Sequence, residues 1–163
     1  MKDSKDKQFM REAIKEAEKA IKTGDWSMGC VIVLNNKIIG RGHNSGYSTK
    51  NRLAHAELLA LEQAKDVLEK NRHQAVLYTT YDPCPMCVGA ILVMKIKRVV
   101  TGINPDHSGG LDLLSHLPKF YQQPKFRIEV IRGVLVKECQ EVYLKGAPTK
   151  KHIQQYDLKL TQL

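Results

Sequence analysis

Apolar positions first recur at helical spacing. From about Lys5 to Thr23 they fall at Phe9, Ala13, Ile14, Ala17, Ala20 and Ile21, between charged residues. That spacing predicts an amphipathic helix, and Thr23-Gly24-Asp25 predicts its stop. The period then changes. "GCVIVLNNKIIGRGHN" places two apolar runs around Asn35-Asn36, which predicts a β-hairpin. A polar loop follows from Ser45 to Arg52. "LAHAELLALEQAKDVLEKN" is again helical, opening near Ala54. Residues 75–80 predict a buried strand, 85–95 a helix and 97–102 a short strand. "INPDHSGGLD" is turn-rich and predicts a mobile loop. Beyond it the pattern predicts a short helix near Leu111–Leu117, a strand over 126–132 and a helix over Val136–Leu144. Gly146-Ala147-Pro148 breaks the chain before a further helix over 147–163. Strands and helices alternate after the hairpin, as in an α/β layered domain with helices on both faces of one sheet. No repeat or linker divides the 163 residues, so they read as a single domain, 1–163, with its core at about 9–144.

Composition narrows the class. The chain is 42% hydrophobic and 26% charged, and no apolar run reaches the roughly 20 residues of a membrane span. Its first twenty residues are charged throughout, which is neither a signal peptide nor a membrane helix, so the expected location is cytoplasmic. The net charge of +9 permits a polyanionic partner. The basic residues are scattered, however, and form no dense block.

Four cysteines are present: Cys30, Cys84, Cys87 and Cys139. Cys30 and Cys139 sit in apolar or amphipathic runs and read as core thiols. Cys84 and Cys87 form Cys-x-x-Cys where a strand gives way to a helix. Such a pair is a disulfide or redox couple, a metal half-site or two buried thiols. A cytoplasmic setting disfavours the disulfide. The helix opening near Ala54 carries His55 and Glu57. Zinc favours thiolate and imidazole, and a helix N-terminus favours thiolate over thiol. His55, Cys84 and Cys87 therefore make a three-ligand set. A catalytic zinc keeps its fourth position for water, and nothing in the spacing of Cys30, His43 or Cys139 suggests that they close it. Glu57, two residues after His55, places a carboxylate beside that open position, where it can move protons.

His-x-Glu followed by Pro-Cys-x-x-Cys is the signature of zinc deaminases. With "GCVIVLNNKIIGRGHN", "AHAELLAL", "LYTTYDPCPMCVGAI", "IKRVVTG" and "RIEVIRGVLVKEC", the chain resembles the cytidine deaminase-like superfamily from about Phe9 to Leu144. It looks most like the branch of tRNA adenosine deaminases, guanine deaminases and fungal cytosine deaminase. The resemblance implies a three-layer α/β/α sandwich around a mixed five-stranded sheet, one zinc per chain on His55, Cys84 and Cys87, Glu57 as proton shuttle, Asn44 hydrogen-bonding the base, and a homodimer or larger assembly.

The substrate reading divides. Three features depart from the pattern of tRNA adenosine deaminases: Asn51-Arg52-Leu53 before the histidine, Asn104-Pro105 after "VVTG", and the break at Gly146-Ala147-Pro148 in the tail. They favour a free base or nucleoside, a purine ahead of cytosine. Asn104–Gly110 is then expected to help close the pocket, with His107 as a polar contact. "RGVLVKEC" and the basic charge favour the alternative, adenosine in tRNA. A non-catalytic zinc-bearing RNA-binding subunit is the third possibility, and the presence of Glu57 weighs against it.

Overall fold

The computed structural model describes residues 2–104 and 109–146. His107 and the expected tail helix over 147–163 lie outside them. The described elements are α1 (Lys2–Thr23), β1 (Gly29–Leu34), β2 (Lys37–His43), α2 (Ala56–Asn71), β3 (Val76–Tyr81), α3 (Pro85–Val93), β4 (Arg98–Ile103), β5 (Glu129–Ile131) and α4 (Val136–Lys145). The strands form one mixed sheet in the order β2-β1-β3-β4-β5. β1 pairs antiparallel with β2 and β3, whereas β3, β4 and β5 run parallel. This is the expected α/β/α sandwich.

Strand alternation builds the two faces. Cys30, Ile32, Leu77 and Val99 face α2 and α3 in one apolar core. Their neighbours Val31, Val33, Tyr78 and Val100 face α1 and α4 in the other. Cys30 and Cys139 are both fully buried in these cores, as their apolar settings predict. α1 buries Phe9, Met10, Ala13, Ala17 and Ala20. It ends where Gly24 takes φ +77°. The hairpin turns through Asn35 and Asn36 at φ +50° and +60°, the left-handed pair of a tight two-residue turn.

Two glycines set how closely the sheet approaches α2. A Cβ at Gly42 would sit 2.1 Å from the carbonyl oxygen of Ala56, and one at Gly40 would sit 2.3 Å from that of Ala60. With Ala56, Ala60 and Ala64 buried opposite, β2 and α2 meet almost backbone to backbone. This contact fixes where α2 begins.

Three elements differ from expectation. α2 starts at Ala56, because Asn51–His55 is folded into hydrogen-bonded turns and His55 caps the helix in extended conformation. The strand expected over 126–132 shrinks to Glu129–Ile131. Pro118 and Pro124 open short 3-10 turns there, and Phe126 is buried against Tyr121 and Phe120 instead of joining a ladder. The helix near Leu111–Leu117 is a 3-10 segment, Leu111–His116. No helix among the described residues is long and apolar enough to cross a membrane.

Candidate active site

Two helix N-termini converge at the ends of β1 and β3. Cys84 is the N-cap of α3, with Pro85 at the first helical position, where a missing N–H costs nothing. Cys87 follows one turn later. His55 is the N-cap of α2. Its Nδ1 lies 3.5 Å from Cys84 Sγ and 3.6 Å from Cys87 Sγ, and the two sulfurs are 3.6 Å apart. Tetrahedral zinc with about 2.3 Å to sulfur and about 2.0 Å to nitrogen would separate its ligands by roughly 3.5–3.8 Å. The three residues therefore fit zinc with one vertex left over. They form the one such cluster among the described residues.

Electrostatics agree with thiolate ligation. The hydrogen bond from Cys87 is the main cause that holds Cys84 down at about 4, and His55 adds to it. The same bond, and then burial, push Cys87 up, so among the protein groups alone the pair keeps one proton. A divalent cation bound there would displace that proton.

Glu57 is buried beside this cluster. Its Oε2 lies 3.4 Å from Cys87 Sγ, and its Oε1 accepts a 2.7 Å hydrogen bond from the Thr79 hydroxyl on β3. Burial raises its pKa, and the Thr79 bond opposes that rise. A carboxylate raised in this way and aimed at a metal site can both take and return a proton.

His55, Glu57 and Cys84 line a recess of about 250 Å3. Asn44 belongs to it. Its position is fixed, because Oδ1 accepts from the Gly46 N–H at 3.1 Å and its backbone N–H donates to the Met28 carbonyl. The sequence reading missed the aromatic wall made by Trp26, Tyr81 and Tyr143. Tyr143 stacks on Trp26 at 6.2 Å and tilts against Tyr81 at 4.8 Å. Asp82 was also missed. It is buried in the wall with Oδ1 3.7 Å from Arg132 Nε, and Arg132 also donates to Asp112. The sole Trp, in a turn between helix and strand, was the available signal.

Two thiolates, one imidazole, an open vertex and a buried carboxylate define a zinc-dependent hydrolase. The comparisons with known proteins narrow that class. The model of the cytidine and deoxycytidylate deaminase zinc-binding region matches residues 3–103. The tRNA-specific adenosine deaminase of Bacillus subtilis (strain 168) is 39% identical over 139 residues, covering 83% of this chain and 84% of that one. One from Streptococcus pyogenes serotype M1 is 35% identical over 154 residues, covering 88% and 86%. A solved structure from studies of A-to-I editing by tRNA:A34 deaminases superposes with a TM-score of 0.69 at 29% identity, over 83% of this chain and 98% of that one. Guanine deaminase from Bacillus subtilis gives 0.54 at 33%, over 60% and 63%. The chain belongs to the cytidine deaminase family and is a zinc-dependent hydrolytic deaminase.

Proposed function

We propose that the protein converts adenosine to inosine in tRNA. The observation that carries this reading is the buried Glu57 beside the three-ligand cluster, in an aromatic recess that, among the described residues, opens outward. The names of the relatives and the +9 charge favour RNA over the small substrate that the three sequence departures suggested.

His55, Cys84 and Cys87 would hold the zinc, which when bound would supply Lewis acidity that lowers the pKa of a water towards ~7. Glu57 takes a proton from the attacking water and delivers it to the ring nitrogen beside the amino-bearing carbon. It then moves a second proton to the departing amine, so one water enters and one ammonia leaves. Thr79 fixes the carboxylate for both transfers. The Asn44 amide donates to and accepts from the base edge. Trp26, Tyr81 and Tyr143 enclose the base and exclude bulk water.

The test is inosine content in tRNA after incubation, set beside ammonia release from adenine, guanine, cytosine and their nucleosides. Inosine in tRNA with silence on the small molecules supports the reading. Robust ammonia release from a free purine without inosine in tRNA replaces it with the second reading, which the small volume of the recess favours.

We also propose a homodimer, with the exposed side of α3 in its interface. Pro85, Met86, Gly89 and Val93 are exposed there, and no charged residue interrupts the helix. Light scattering at micromolar concentration is expected to give about twice the 18.5 kDa chain mass. A mass near 18.5 kDa would refute the dimer.

A further inference from the structure

Asp82 follows β3 directly and precedes Cys84 by two residues. Its N–H donates to the Ile103 carbonyl at the end of β4, at 2.8 Å. Its side chain is 1% exposed. A carboxylate buried so deeply is costly unless a cation or donors offset its charge. Oδ1 has no hydrogen-bond partner among the described residues and faces Arg132 Nε at 3.7 Å. Arg132 stands directly after β5 and donates to Asp112 through Nη2 at 2.8 Å. One guanidinium thus joins the end of β3, the 3-10 segment at Leu111–His116 and the end of β5.

The chain returning from β4 lies against the same carboxylate. A Cβ at Gly109 would sit 2.5 Å from Asp82 Oδ2. The Gly110 N–H donates to the Pro83 carbonyl at 2.7 Å. A Cβ at Gly110 would sit 2.7 Å from the Cys84 carbonyl carbon and from the Pro85 nitrogen. Leu111, whose N–H lies towards the carboxylate, is buried in the core with α3. Pro83-Cys84-Pro85 is therefore pressed between this return and its own helix. Cys84 Sγ is two bonds from the backbone held there, so a shift of that strap moves a metal ligand.

We propose that Asp82 and Arg132 are a positioning pair for the metal centre. Their ion pair holds the Gly109–Leu111 return against Pro83-Cys84 and so fixes the direction of the Cys84 thiolate. Neither residue is a ligand or a proton carrier. Partners that orient a ligand from outside the metal typically cost about 10–100-fold in affinity or activity when lost.

The experiment replaces zinc by cobalt(II), whose visible absorption depends on ligand geometry. Arg132→Gln keeps a polar side chain at a half-buried position but leaves the buried carboxylate without its cation. It is expected to shift the thiolate-to-cobalt and d–d bands. In the zinc form, with one metal per chain, it should lower kcat about tenfold while KM stays within about threefold. Asp82→Asn with Arg132→Gln removes both charges and leaves two amides that can bond each other. That double variant should recover the wild-type spectrum and a kcat within about threefold of wild type. Val33→Ala, in the other core at the hairpin end of β1, lowers stability and should move neither the spectrum nor kcat. Turnover is read on whichever of tRNA and adenosine the wild type converts, and the cobalt spectrum needs no substrate, so the pair is judged independently of the RNA reading. An unchanged cobalt spectrum in Arg132→Gln, a double variant no closer to wild type than the single one, or the same spectral shift in Val33→Ala would overturn the positioning role.

Discussion

Glu57 touches the Thr79 hydroxyl and the Cys87 sulfur and faces the recess, and these three surroundings define its role. Glu57→Gln keeps the shape and the Thr79 contact but cannot take a proton. It is expected to retain fold and zinc and to lose at least ~10²-fold in kcat, measured by inosine formation beside metal analysis. Near-normal turnover would mean that another group moves the protons. His55, Glu57, Cys84 and Cys87 were legible in the sequence because ligand chemistry and spacing are local. Trp26, Tyr81 and Tyr143 were not. They come from a loop, a strand and a helix far apart in the chain, and an aromatic residue facing a recess has the same sequence pattern as one facing the core. Asn44 combines both cases: the Gly46 contact makes it a turn residue, and the same contact aims its amide into the recess.

At the scale of elements, the seam between β2 and α2 makes a sharp prediction. Gly42→Ala places a methyl 2.1 Å from the Ala56 carbonyl, so α2 must shift or strain. Overpacking of this kind typically costs ~1–3 kcal/mol, to be read as a lower urea midpoint. Because Ala56 lies between His55 and Glu57, activity should fall more than stability alone explains. Asp25 tests the turn after β2, where its Oδ1 accepts from the Tyr47 and Ser48 N–H groups. Burial raises its pKa, but the hydrogen bonds from Ser48, Thr23 and Tyr47 outweigh burial and leave it below the ordinary 3.8. A carboxyl lowered on folding stabilises above its unfolded value and loses that contribution as pH falls through the folded one. Asp25→Asn should therefore be less stable than wild type near neutral pH, and the two urea midpoints should converge below about pH 4, as integration of this linkage requires. A gap independent of pH would show that shape, not charge, holds the turn. Long periodic elements such as α1 and α2, and the hairpin with its Asn-Asn turn, could be read from sequence. β5 could not, because the alternation that suggested a strand over 126–132 is partly spent on seating Phe126 in the core.

For the molecule as a whole, the zinc site joins parts that the sheet alone does not. His55 and Cys84 cap helices on the same face of the sheet but at separate points in the chain. A ligand that binds only the folded state stabilises it by mass action. Stripping zinc with a chelator is therefore expected to lower Tm by several degrees and to abolish activity, with both restored by added zinc. An unchanged Tm after verified metal loss would show that the cores hold the site without help. The sandwich itself was legible because the order of strands and helices constrains it. Substrate class was less so, since it depends on which side chains happen to meet at the rim.

The seam at Gly40 and Gly42 also bears on how such a molecule can change over generations. The catalytic helix is located by main-chain contact, which almost any larger side chain at the glycines would disrupt. The rim is located by the turn after β2, whose Tyr47 ring is exposed and whose Lys50 and Arg52 form no ion pair among the described residues. Heritable variation is thus channelled: the hydrolytic centre stays fixed while Tyr47, Lys50 and Arg52 can change without disturbing the fold. Deep mutational scanning scored by folding should find intolerance concentrated at the two glycines and tolerance at the rim, so that new specificities arise there without re-inventing the chemistry.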